Sequence, residues 1–158
     1  MERQFTATVY IIEDSKVLLI YHEKFGKWQP PGGHVDPNET PPEAAKREAM
    51  EETGYEIEFI QDEHIWIDCW NAKSMERPFL CLLEEIPAHK DKPAHQHMDM
   101  IFAARPVRQG TYTETQQVRW FTLEEVSELE SDKDIFAETK QVIGVLIKWL
   151  STVGVSNA

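Results

Sequence analysis

Glu48, Glu51 and Glu52 are spaced i, i+3 and i+4 within Arg-Glu-Ala-Met-Glu-Glu-Thr-Gly, residues 47–54. On a helix this spacing puts three carboxylates on one face, where each like-charge pair destabilises by roughly 0.2–0.5 kcal/mol. Glu51 and Glu52 also fall in the last turn, where the helix dipole disfavours negative charge. Local rules broken at neighbouring positions point to a site. A divalent cation gathered between the acids is the simplest remedy. Alone, Glu-x-x-Glu-Glu reads as a solvated acidic face; its surroundings decide otherwise.

The elements that must position these acids have clear punctuation. Thr40-Pro41-Pro42-Glu43 fits a capping box with proline at the first helical position, and Gly54 is the natural stop. The helix is therefore predicted over about Pro41 to Thr53. Ala45 and Ala49 lie beside its acidic face and allow close approach to a sheet. Upstream, Thr6 to Ile12 and Lys16 to Tyr21 flank the turn signal Glu13-Asp14-Ser15 and predict a hairpin. A loop from Glu23 to Pro31 leads into Gly32-Gly33, where the backbone can approach a ligand closely. Downstream, strands are predicted over Tyr55 to Ile60, Ile65 to Trp70, Phe79 to Leu83, Met98 to Ala103 and Val118 to Phe121. Ala88 to Gln96 reads as an exposed loop. Thr122, with Glu125 three residues on, caps a short helix. Ile135 to Leu150 has the apolar period of an amphipathic helix, and the tail from Ser151 frays.

Gly33, Glu39 and Arg47-Glu48-Ala49-Met50-Glu51-Glu52-Thr53-Gly54-Tyr55 stand in a longer register. This resembles the Nudix box of the MutT-like hydrolases, Gly-x5-Glu-x7-Arg-Glu-U-x-Glu-Glu-x-Gly-U, with U a bulky apolar residue. Ala49 departs from the pattern, which alters packing under the helix and leaves the chemistry alone. Trp28-x-x-Pro31-Gly32-Gly33 and Trp120-Phe121-Thr122-Leu123-Glu124-Glu125 look like the same family. The resemblance implies one domain over residues 1–158, with its core at about 5–150 and the box at 33–55. It implies an α/β fold, an α/β/α sandwich with a mixed sheet and a loop–helix–loop motif.

It further implies hydrolysis of a diphosphate linkage in a nucleotide or nucleotide-linked small molecule, with Mg²⁺ or Mn²⁺ as cofactor. Metal ligation falls by position to Glu48, Glu51, Glu52 and the Gly32 carbonyl. Arg47 would orient the carboxylates, and Glu39 would support the loop. Glu114 lies where relatives often place an extra acid. Elementary electrostatics agrees: an acidic pocket repels a diphosphate unless bound cations reverse its sign. The substrate is open between a modified nucleoside triphosphate, a nucleotide sugar, ADP-ribose and a dinucleoside polyphosphate. The rival reading is a nucleotide-binding sensor without turnover, in which a box glutamate would normally be lost; here all are present.

Other residues carry two readings each. Trp28 stacks on a base or anchors its loop. Lys24 and Lys27 meet a distal phosphate or lie plainly on the surface. His95, His97 and Asp99 alternate, so a strand points all three one way, toward substrate, a metal or the open cleft. Met98, Met100 and Phe102 are then core. Trp66 and Trp70 share one side of their predicted strand with Asp68. Glu84-Glu85 and Glu124-Glu125 read as ordinary solvated charge.

The formal net charge is −12 and the pI about 4.9, which argues against long nucleic acid or an anionic membrane as partner. Cys69 and Cys81 read as reduced thiols. The first residues carry no signal-peptide pattern, so a soluble cytoplasmic protein is expected. Oligomeric state is not legible, but dimers are common in the family, and a homodimer stands as an expectation.

Overall fold

The computed structural model describes residues 1–61, 65–110 and 117–152. The chain opens with β1 (Arg3–Glu13) and β2 (Lys16–His22). Asp14 and Ser15 both have positive φ (51° and 60°), the conformation whose twist suits a two-residue hairpin turn. The strands pair only next to that turn, at Ile12 with Val17 and Glu13 with Lys16. They then part into two sheets. β2 lies between β3 (Lys27–Gln29) and β8 (Gln117–Thr122), all antiparallel. β1 runs antiparallel to β4 (Gly32–His34) and parallel to β7 (His95–Gln109). The outer edge of β7 is shared by β5 (Tyr55–Phe59) and β6 (Leu80–Ile86).

Alternation along β1 divides the core. Ala7, Val9 and Ile11 pack with Ala44, Ala45 and Ala49 of α1 (Pro41–Thr53). Tyr10 and Ile12 pack on the other side with Val142, Ile143, Leu146 and Leu150 of α3 (Ala137–Thr152). The sheet thus lies between two helices, as predicted. The short α2 (Leu123–Glu128) has the foreseen capping box of Thr122 and Glu125.

Three expectations are corrected. Ile65 to Trp70 is not a strand: it makes one isolated bridge, Asp68 with Lys73, and Trp70 is 96% exposed. Its β-forming residues have no edge to join. Ile60 already donates to the Ala103 carbonyl and Phe79 to that of Ile101, so β7 is filled on that side. Second, β7 begins at His95, inside the predicted loop. Third, Phe102 is core but Met98 and Met100 are only half-buried, and exposed Phe5 and Leu83 line the same shallow groove. α1 covers the other half of that face. Glu114 lies outside the described residues.

Candidate active site

α1 is held at both ends by the predicted devices. Thr40 accepts from the Glu43 N–H while Glu43 accepts from that of Thr40, and Gly54 closes the helix at φ 77°. Three alanines with no exposed surface let its backbone lie against the sheet. That closeness brings the last two turns onto β4. The Gly32 N–H donates to Glu52 Oε1 at 2.8 Å. A Cβ on Gly33 would stand 2.3 Å from Glu48 Oε1, so only glycine leaves room for that carboxylate.

Arg47 ties the acids to the loop. Its Nε and Nη2 grip both oxygens of Glu39 (2.8 and 2.9 Å), a bidentate pair. Nη1 donates to Glu48 (2.9 Å) and Glu51 (3.3 Å), and Nη2 also reaches the His34 carbonyl (3.1 Å). The hydrogen bonds to Glu39 and Glu48 hold the guanidinium still more firmly charged, and Arg47 lowers the Glu39 carboxyl in return. Glu39 also accepts from the Asp36 N–H, so it braces the loop as expected.

Burial pushes the Glu48 carboxyl up, Arg47 pulls it down, and Glu48 lies in hydrogen-bonding contact with Glu52. Glu52 is itself buried, at 7% exposure. Two carboxylates in such contact need a proton or a cation between them. The donor set, three carboxylates beside a glycine backbone, suits a hard cation such as Mg²⁺ or Mn²⁺. As they stand, no three acidic, histidine or cysteine side chains among the described residues converge on one point. Glu48 and Glu51 are turned onto Arg47 and Glu52 onto Gly32. The residues fit the ion in kind.

On the sheet face that carries α3, a polar strip lies one strand from the box loop. Thr6 stands opposite His34 on one side and Asp99 on the other. Asp99 is 4% exposed and accepts from the hydroxyls of Thr6 (2.9 Å) and Thr8 (2.9 and 3.0 Å). It also shares a hydrogen bond with Glu84, whose carboxyl is pushed up to about 9 by burial and the neighbouring Asp99 charge. Burial raises Asp99 too, and the threonines moderate the rise. The pair holds a proton at neutral pH. Burial, then His34 and His95, bring His97 down to about 4.

Glu84 is thus no solvated surface charge. The signal was present in β6, where Leu80, Leu82, Glu84 and Ile86 are the half-buried set and Cys81, Leu83 and Glu85 the exposed one. Thr6 and Thr8 gave no signal of their own, because threonines in an apolar strand look like strand formers. Trp28 lies apart from the box acids, edge-on to Tyr21 (5.3 Å) and Phe121 (4.9 Å), as a packed anchor. Lys27 donates to the Phe25 carbonyl and lies over Phe136. Lys24 lies over Phe25. Both cysteines are free and exposed.

The model of the NUDIX domain matches residues 2–141. The chain belongs to the NUDIX family. A hydrolase of this family from Clostridium perfringens shares the NUDIX protein's fold at a TM-score of 0.75, with 25% identity over 95% of this chain and 99% of that one. Among curated relatives, a putative 8-oxo-dGTP diphosphatase of Bacillus subtilis is 42% identical over 55 residues, 35% of this chain and 37% of the relative. A CMP-5'-(N-acetyl-N-hydroxy-3-aminopropyl)phosphonate hydrolase of Streptomyces rubellomurinus is 27% identical over 133 residues, 78% of this chain and 54% of the relative. The NUDIX chain therefore spans about half the length, or less, of these curated relatives. Among its described residues no helix is long and apolar enough to cross a membrane.

Proposed function

We propose that this NUDIX protein hydrolyses a diphosphate linkage in a nucleotide or nucleoside-diphosphate-linked small molecule, with Mg²⁺ or Mn²⁺. The observation that carries the reading is the packing of Glu48 and Glu52 onto Gly32 and Gly33, with Arg47 bridging Glu39, Glu48 and Glu51. Glu48, Glu51, Glu52 and the Gly32 carbonyl would hold the ion. Once bound, it would neutralise the diphosphate and polarise a phosphoryl oxygen. Arg47 keeps the carboxylates in place. Water attacks phosphorus, a nucleoside phosphate or phosphate departs, and a carboxylate takes the proton. Glu51, Glu52 and Glu114 are the candidates for that base.

The nucleoside end would lie along the polar strip. There His97 meets substrate, and Asp99, its oxygens already engaged, acts through Glu84 and the threonines. Trp28 and Lys27 stand as outer contacts of the same substrate, with their present packing favouring support. A cytoplasmic setting and a homodimer complete the proposal, the former supported by two free thiols.

The deciding experiment offers the protein a panel of nucleoside triphosphates, nucleotide sugars, ADP-ribose and dinucleoside polyphosphates with Mg²⁺ or Mn²⁺, and identifies the products. Phosphate-containing products from one class are expected. Tight nucleotide binding with no product would replace the hydrolase by a sensor.

A further inference from the structure

His95 and His97 are two residues apart on β7, so their side chains leave the sheet on one side. Their Nε2 atoms face each other at 3.2 Å. His95 Nδ1 lies 3.1 Å from the Pro93 carbonyl, which only accepts, so the His95 proton sits on Nδ1. His95 Nε2 is then a bare lone pair aimed at His97. In the metal-free protein His97 Nε2–H donates to it. If His97 moves its proton to Nδ1, on the side of Glu84 Oε1 at 4.0 Å, both Nε2 atoms present lone pairs to the gap between the rings, and a small rotation of each ring would turn them onto a shared ion.

Two imidazole nitrogens bound at 2.0–2.1 Å to a tetrahedral cation stand about 3.3 Å apart, close to the separation here. One ring already has the outer partner that metal-binding histidines use to fix their tautomer, the Pro93 carbonyl; for the other, the Glu84 carboxyl would have to close in from 4.0 Å. His34 stands edge-on to His97 at 5.1 Å, with its own Nε2 on Gln4 Oε1. The pair differs in kind from the box acids: nitrogen ligands favour borderline ions such as Zn²⁺, where the acids favour Mg²⁺.

We propose that His95 and His97 form an open two-nitrogen chelate for Zn²⁺-class cations on the polar strip, separate from the carboxylate centre. Two protein ligands leave the remaining positions to water or to an oxygen of a bound molecule.

The test uses protein without a histidine tag, with millimolar Mg²⁺ present, titrated with Zn²⁺ and followed by calorimetry and by ring ¹⁵N chemical shifts. The Nε2 signals of His95 and His97 should both move, their Nδ1 signals should take on N–H character, and His89 should be unchanged. His95→Gln and His97→Gln should each weaken Zn²⁺ binding at least about tenfold, whereas Glu48→Gln should leave it intact. The ring signals are read on the parent, so the result does not depend on either variant folding. Unmoved Nε2 signals, or Zn²⁺ binding lost in Glu48→Gln and kept in His97→Gln, would overturn the assignment.

Discussion

Gly32 and Gly33 are neighbours, yet a methyl group on each meets a different obstacle. On Gly32 it would press on backbone, the Ala7 carbonyl at 2.7 Å and Thr8 Cα at 2.9 Å. On Gly33 it would press on the mobile end of the Glu48 side chain. Gly32→Ala should therefore lower stability by about 1–3 kcal/mol, read by denaturant unfolding. Gly33→Ala should unfold near the parent's midpoint while turnover falls by about 10²-fold, because the displaced carboxylate no longer sits where the reaction needs it. The opposite pattern, a stable Gly32 variant and an unfolded Gly33 variant, would contradict the assignment of Glu48. Glu52→Gln keeps an oxygen for the Gly32 N–H, so it should fold normally and lose about 10² or more in turnover. Parental activity in that variant would remove Glu52 from the mechanism.

Among elements, α1 was legible to the residue because its signals are local. Thr40, Pro41, Glu43 and Gly54 act within the helix or next to it, and Thr40→Ala should cost about 1 kcal/mol of stability in a urea titration. The polar strip was only half legible. Alternation in β7 put His95, His97 and Asp99 on one side, but which strands flank them depends on pairings between residues far apart in the chain. Thr6 meets Asp99, and Glu84 meets His97, only through the parallel β1–β7 and antiparallel β6–β7 ladders. The Ile65 to Trp70 strand failed for the same reason: propensity describes a segment, while an available edge is a property of the sheet.

That strip carries a pH signature in the metal-free protein. An unfolded chain releases the Glu84 proton near 4.5, whereas the folded one keeps it until about 9. Between those values the unfolded state binds fewer protons, so stability declines as pH rises. Glu84→Gln removes the decline, and its melting temperature should gain on the parent's from pH 5 to pH 8. A constant difference across that range would mean that the pair holds no extra proton.

At the scale of the whole molecule, the proposed cation site would make folding and cation uptake one linked equilibrium, because the ion would bind only the native arrangement of the box. A cation that binds only the native state at 100 times its dissociation constant stabilises by about 2.7 kcal/mol. The melting temperature of the parent should therefore climb with added Mg²⁺, and that of Glu52→Gln should climb less. Equal shifts in both, or none in the parent, would detach the ion from these carboxylates.

The β5–β6 edge has an architectural consequence. Phe59 stands opposite Ala104 and Leu80 opposite Ile101, and inside them the Ile60 N–H reaches the Ala103 carbonyl and the Phe79 N–H that of Ile101. Phe79 and Leu80 thus both face Ile101, a one-residue slip that sets Ile60, Phe79 and Leu80 against the same core. β5 and β6 therefore follow each other along one edge of β7, with the chain leaving that edge after Ile60 and returning at Phe79. Joining Ile60 to Phe79 through one added residue, which would stand opposite Phe102, should yield a shorter, folded protein, with its far-ultraviolet dichroism per residue essentially kept and the exposed Ile65, Trp66, Ile67, Trp70 and Met75 gone. Such an excursion can change in length or sequence at the rim of the sheet without moving the strands and helix that carry Gly32, Gly33, Glu48 and Glu52.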